Sequence, residues 1–164
     1  MSIIDWLKSV SGATPPAIPD EPVTYKPIGV VSNRVKEQKA DGWQDVKSDI
    51  ILREELAPAL ESIDGFSHLI VVFHMHRIPS AEARSSVPVS GTSRGVLATR
   101  SQLRPNPIGV AVVPLLERRE NVLRVQGLDA LDGSPVLDIK PYLPPYDSIL
   151  TSHLPAWAAG AELD

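Results

Sequence analysis

The 164-residue sequence predicts an all-β protein, built as an antiparallel sheet or a closed barrel with little helix. Three observations carry this. Short runs of β-branched and apolar residues recur along the middle of the chain, each bounded by Gly, Pro, Asp or Ser. The intervals between them leave no room for the helices of about a dozen residues that a parallel, doubly wound sheet requires. Only one segment between the strands reads as helical, Glu54 to Ser62, ending before Asp64-Gly65.

From the N-terminus, Ser2 to Val10 reads as a short amphipathic helix. Ser2 and Asp5 would form a capping box, with Ile3, Trp6, Leu7 and Val10 on one face. Thr14 to Pro22 holds four prolines in nine residues and reads as an extended arm. Strands are expected over Tyr25–Val31, Ser48–Leu52, Ser67–His76, Gly95–Thr99, Ile108–Leu116, Asn121–Leu128 and Val136–Ile139. Leu116 to Leu123 reads as a hairpin with Glu117 to Asn121 as its loop, and Asp132-Gly133 as a hairpin turn. The organisation is therefore an arm over 1–22, a barrel or sheet domain over 23–149 and a tail over 150–164.

Composition narrows the function. Cysteine is absent, which excludes disulfides, thiolate metal sites and a cysteine nucleophile. No apolar run approaches the roughly 20 residues that span a bilayer, and no basic leader is present, so a cytoplasmic protein is expected. The net charge of −4 gives no general basic footprint. Arg77, Arg84, Arg94, Arg100 and Arg104 nevertheless crowd the middle of the chain. No Gly-x-Gly-x-x-Gly or Walker pattern occurs, and Ser101 does not sit in a Gly-x-Ser-x-Gly elbow.

Three stretches carry the chemistry. In Ala98 to Gly109, Pro105 and Pro107 fix their own φ and push Arg104 and Asn106 out of the helical region. The result is a stiff loop bearing Arg100 and Arg104, whose planar forks suit carboxylate or phosphate. In Ser67 to Arg77, period-two alternation sets His68, His74 and His76 on one strand face. Such a face is either a metal chelate or a set of histidines bonded to backbone, and no third ligand at fixed spacing is evident, so no metal is expected. In Leu128 to Tyr142, Asp138 and Lys140 lie two apart on one face. They form a structural ion pair or line a polar cleft.

Taken together, Pro27-Ile28-Gly29-Val30-Val31, Gly65-Phe66-Ser67-His68-Leu69, Gly95 to Ser101, Arg104-Pro105-Asn106-Pro107-Ile108-Gly109 and Asp132-Gly133-Ser134-Pro135 through Asp138-Ile139-Lys140-Pro141-Tyr142 resemble the TsaA/YaeB (TrmO-like) family over roughly Tyr25 to Tyr146. The resemblance implies a small antiparallel β-barrel with one or two short helices, working as a homodimer with S-adenosylmethionine. It implies methylation of N6 of threonylcarbamoyladenosine at position 37 of tRNA. It also implies a cofactor pocket built from His74, Met75, Arg100, Val110 and Gln126-Gly127-Leu128-Asp129, with Gly42 of Asp41-Gly42-Trp43 as the early glycine loop. Arg100 is expected to pair with the cofactor carboxylate. Asp138, Lys140 and Tyr142 are the candidates for orienting the acceptor or handling its proton.

Three departures bear on the acceptor. Bacterial-type members carry a further C-terminal domain, whereas this sequence continues only from Ser148 to Asp164 after the last motif. Ser32-Asn33-Arg34 replaces the usual Arg-Ser or Ser-Pro after the first strand, and Ser85-Ser86-Val87-Pro88-Val89 lacks the usual arginine. A small-molecule acceptor and a non-catalytic cofactor-binding module therefore stand as alternatives to tRNA.

Overall fold

A computed structural model describes residues 5, 9, 10, 14, 16–79 and 84–159. Most of the expected N-terminal helix, including Ser2, Ile3, Trp6 and Leu7, lies outside them. Among the described residues there are eight strands: β1 (Gly29–Ser32), β2 (Lys47–Leu52), β3 (His68–His74), β4 (Ser86–Val89), β5 (Thr92–Gly95), β6 (Ile108–Arg119), β7 (Val122–Gln126) and β8 (Pro135–Pro141). Six of them close a barrel in the order β1-β2-β7-β6-β3-β8, with every neighbour antiparallel. β4 and β5 form a separate two-stranded hairpin. No helix among the described residues is long and apolar enough to cross a membrane.

Alternation fills the barrel. Leu69, Val71 and Phe73 of β3 point inward and are buried, while His68, Ile70, Val72 and His74 point out. Val31, Ile50, Val113, Leu123, Val125 and Val136 complete the interior from the other strands. β6 serves two neighbours: its first half pairs with β3 from Ile108 to Pro114, and its second half pairs with β7 from Leu115 to Arg119. The register shift between Leu115 and Glu117 turns the strand from one partner to the other.

Several sequence expectations are corrected. Pairing on β1 begins at Gly29, and Tyr25 is exposed. Glu54 to Leu60 is a 3-10 helix, because Pro58 lacks the N–H an α-helix would need there. Gly95 to Thr99 is not a strand: Val96–Ala98 is a 3-10 turn, closed when Thr99 donates from its N–H and its Oγ1 to the Val96 carbonyl. The extended residues lie just before it, in the β4–β5 hairpin, whose turn uses Ser90 and Gly91 at φ 47° and 75°. The β6–β7 connection is tighter than expected, with only Glu120 and Asn121 between the strands. Asp132-Gly133 is a turn, with Gly133 at φ 82°, but it joins β7 to β8, which are not neighbours. His76 lies beyond the end of β3 and so leaves the face of His68 and His74. Among the described residues no group of three or more His, Cys, Asp or Glu is placed to hold a metal ion. After β8, Pro144 opens a four-residue helix, α1 (Pro144–Asp147), at the position where a missing N–H costs nothing.

The glycine of the Pro-Asn-Pro-Ile-Gly stretch has a packing role. Gly109 faces Phe73 across the β3–β6 ladder, and a Cβ at position 109 would overlap the Phe73 ring. Gly109→Ala is therefore expected to destabilise the fold by about 1–3 kcal/mol through overpacking, measured as a lower denaturant midpoint at unchanged slope.

Candidate functional site

Several of the chain segments that carry the notable motifs arrive at one end of the barrel. There β3 ends, β6 and β8 begin, and a cavity of about 580 Å³ opens. Its walls come from the 38–43 loop, residues 73–78, the 100–104 loop, the start of β6 and the 129–134 segment. Four cations line it, Lys39, Arg77, Arg100 and Arg104, against one carboxylate, Asp129, among the described lining residues. This end is therefore electropositive in a chain of net charge −4.

Each wall is fixed by its own hydrogen bonds. In the arginine loop, the Leu103 N–H donates to Ser101 Oγ and the Ser101 N–H to Thr99 Oγ1. Arg104 Nη2 donates to the Thr99 carbonyl and Arg100 Nη2 to the Val110 carbonyl at 2.8 Å. The loop is anchored to β3 where the Met75 N–H donates to the Pro107 carbonyl. The Thr-Arg-Ser triplet is thus a self-bonded turn that presents one guanidinium at the start of β6. Arg100 itself is exposed, with donors left for a ligand.

Asn33 fastens the opposite wall. Its side-chain amide donates to Ser48 Oγ and to the Ala130 carbonyl, both at 3.0 Å, and its Oδ1 accepts from the Val35 N–H. Its backbone N–H donates to Asp132 Oδ1. Two of these four bonds hold 130–132, and the other two tie Asn33 itself to β2 and to its own loop. The 42–46 turn is held likewise, by Gly127 N–H to the Val46 carbonyl and Gln126 Nε2 to the Gln44 carbonyl.

Of the residues singled out from the sequence, Met75, Arg100, Val110 and Asp129 line the cavity. His74, Gln126, Gly127, Leu128 and Gly42 do not. Leu128 is fully buried in the core, and Gly42 (φ 73°) caps the short turn that carries Trp43 into the lining. His76 and Ser134 join the cavity as an unforeseen pair, Nδ1 to Oγ 3.3 Å, with Ser134 buried. Burial, then the charges of Arg77 and His74, holds the His76 imidazole below its ordinary pKa. Trp43 lies in the Asp41-Gly42-Trp43 loop expected at the pocket, where it, and not Gly42, reaches the lining, whereas Arg77 had no pattern tying it to a site.

Asp138 and Lys140 lie elsewhere, on the outer face of β8, and Tyr142 follows just beyond its end. Asp138 and Lys140 pair at 2.6 Å with both side chains substantially exposed, so the ion-pair alternative is the one observed. Tyr142 packs edge-on against His68. Register connects this face to the cavity: Asp138 stands beside Val72, and Val72 beside Val110. Asp138 is thus two strands, about 10 Å, from a cavity residue.

A closed antiparallel barrel with a cation-lined pocket at one end defines a small-ligand-binding barrel. The chain belongs to the family of the tRNA-methyltransferase O N-terminal domain, whose model matches residues 32–148. It is 43% identical over 128 residues to an S-adenosyl-L-methionine-binding protein of Archaeoglobus fulgidus, covering 76% of this chain and 92% of that one. It is 38% identical over 140 residues to the tRNA (adenine(37)-N6)-methyltransferase of Escherichia coli, covering 76% and 60%. The crystal structure of TrmO from Pseudomonas aeruginosa superposes with a TM-score of 0.68 at 31% identity, over 81% of this chain and 62% of that one. The chain thus spans under two thirds of the solved TrmO chain.

Asp129 yields a test of the site's electrostatics. Burial raises its carboxyl above the ordinary 3.8, a backbone hydrogen bond and the Arg100 charge opposing. A raised carboxyl pKa means the folded state holds its proton more tightly than the unfolded state, so the penalty develops as pH rises above 3.8. Asp129→Asn is expected to raise the melting temperature at pH 7, and the gain to vanish as pH falls to 3.8.

Proposed function

We propose that the chain binds S-adenosylmethionine in the end cavity and transfers its methyl group to N6 of threonylcarbamoyladenosine at position 37 of tRNA. The observation that carries this reading is the meeting of Met75, Arg100, Val110 and Asp129, from four separate segments, around one cavity. Its volume falls within the roughly 300–1,000 Å³ of small-molecule sites. The lining suits the ligand: a guanidinium for its carboxylate, a carboxylate for its ammonium, and apolar surface at Met75, Ile78 and Val110. When bound, the cofactor supplies an electrophilic methyl on a positive sulfonium. The chain's part is positioning, with Arg100 and Asp129 orienting the ligand. Asp138, Lys140 and Tyr142 are proposed to receive the acceptor, Asp138 taking the amine proton.

The same reading takes the protein to be a cytoplasmic homodimer. Ile108, Val110, Val112 and Leu116 form an exposed apolar column along β6, at 38%, 44%, 53% and 44% exposure. A second copy covering that column would sit at the cavity's edge, where Ile108 and Val110 belong to both surfaces. Val112→Glu should then convert a dimer to a monomer in sedimentation velocity.

A second reading, a cofactor-binding module or a methyltransferase of a small molecule, is favoured by one fact. The chain is 43% identical to the Archaeoglobus S-adenosyl-L-methionine-binding protein and 38% identical to the Escherichia coli enzyme. Calorimetry and tRNA mass spectrometry separate the readings. Arg100→Ala should weaken cofactor binding by at least about tenfold. Purified protein should convert threonylcarbamoyladenosine to its N6-methyl form in unmodified tRNA, and Asp138→Asn should slow that conversion. Cofactor binding with no methylated tRNA product would remove tRNA as the acceptor.

A further inference from the structure

The cavity contains one large aromatic side chain that the proposed function leaves without a task. Trp43 lines it, partly exposed, at the start of the 3-10 turn Trp43–Asp45. Partial exposure is ordinary for a tryptophan, so the informative feature is how this ring is held. Its Nε1–H donates to the Lys39 carbonyl at 3.2 Å, so its one polar group is satisfied within its own loop and needs no ligand. The turn beneath it is closed by the Val46 N–H on the Trp43 carbonyl. It is bolted to β7 through Gly127 and Gln126.

The charge around the ring is also informative. Lys39 Nζ stands 5.7 Å from the ring centroid and donates to the Gly42 carbonyl at 3.2 Å, so the cation occupies one side of the indole. Arg77, Arg100 and Arg104 line the same cavity. A rigid aromatic plane among cations matches a ligand that joins a flat π-system to an anionic group.

We propose that Trp43 is the stacking platform of the cavity, taking a purine ring against the indole face that Lys39 leaves free. This rests on the reading of the cavity as an adenosine-ligand site. Two purines are available to such a site, that of S-adenosylmethionine and that of an acceptor adenosine in RNA. Both offer the same π-face, and the chemistry of the platform is the same for either.

The chain has three tryptophans, so Trp6→Phe with Trp157→Phe leaves Trp43 as the only indole. That protein is titrated with S-adenosylmethionine and, separately, with an anticodon stem-loop RNA, while calorimetry on the same samples reports binding independently. Saturable quenching by the cofactor assigns its purine to Trp43, and quenching by the RNA alone assigns the acceptor's. Trp43→Leu should weaken the quenching ligand by roughly tenfold or more, and Trp43→Phe by no more than about threefold. Circular dichroism establishes that both variants fold. Calorimetric binding without quenching, or Trp43→Leu binding as tightly as the parent, overturns the platform and leaves the site reading intact. Absence of calorimetric binding by both ligands overturns the site reading and the platform with it.

Discussion

The barrel depends on a very short seam. β1 and β8 are paired over only two register positions, Gly29 with Val136 and Val30 with Pro135, and Pro135 has no N–H to add to the ladder. Bonds beyond the ladder extend the closure: Ile28 N–H to the Val136 carbonyl, Val31 N–H to the Ser134 carbonyl and Gly133 N–H to the Val31 carbonyl. Left open, β1 and β8 would each present unpaired backbone groups along an edge. On its other side β1 lies close against β2, where a Cβ on Gly29 would meet the Ile51 carbonyl oxygen at 2.5 Å. The seam runs into the cavity wall, so the bonds that close the sheet also place Ser134. Structure and site share one set of hydrogen bonds at this end of the molecule.

The pairing of a rigid rim with concentrated charge explains why the cavity suits a small ligand carrying an anionic group. Pro105 and Pro107 stiffen one wall, Asn33 another, and the bonds from Gln126 and Gly127 a third. A rim ordered beforehand loses little conformational freedom when a ligand arrives. Asp129, held beside Arg100 in a place that disfavours its charge, belongs to the same economy: local discomfort in the free protein is relieved by a cationic partner.

Much of this was readable from the sequence, for identifiable reasons. Period-two alternation marks β3 and β7 because each has one dry face and one wet face. The barrel, its antiparallel pairing and its family followed from the strands together with the motif blocks. Where local reading failed, a residue's role was set by something distant. Pro58 decides the type of the 54–60 helix, which pattern alone reads as α. The β4–β5 hairpin hides because Pro88 and Thr92-Ser93-Arg94-Gly95 lack strong strand residues, and its Ser90-Gly91 turn is short. In the site, Arg100 and Asp129 stood out within motifs. Trp43 stood within a loop already expected at the pocket, whereas His76 and Arg77 reach the cavity because β3 ends at the same rim as the other loops, a fact of closure that spacing along the chain cannot encode.

The strand order has a kinetic meaning. β3 joins β6 across residues 74 to 108, β2 joins β7 across 47 to 126, and β1 joins β8 across 29 to 136. Among the barrel strands, only β6 and β7 are linked by a tight turn, as β4 and β5 are outside the barrel. Such a topology pays loop-closure entropy before its contacts return anything, and belongs with barrels that fold in about milliseconds to seconds. The β6–β7 ribbon is the local pairing of the barrel, and the rim is assembled from segments far apart in sequence. A ligand of this rim therefore recognises the finished barrel alone, and by mass action acts as a reporter of complete folding.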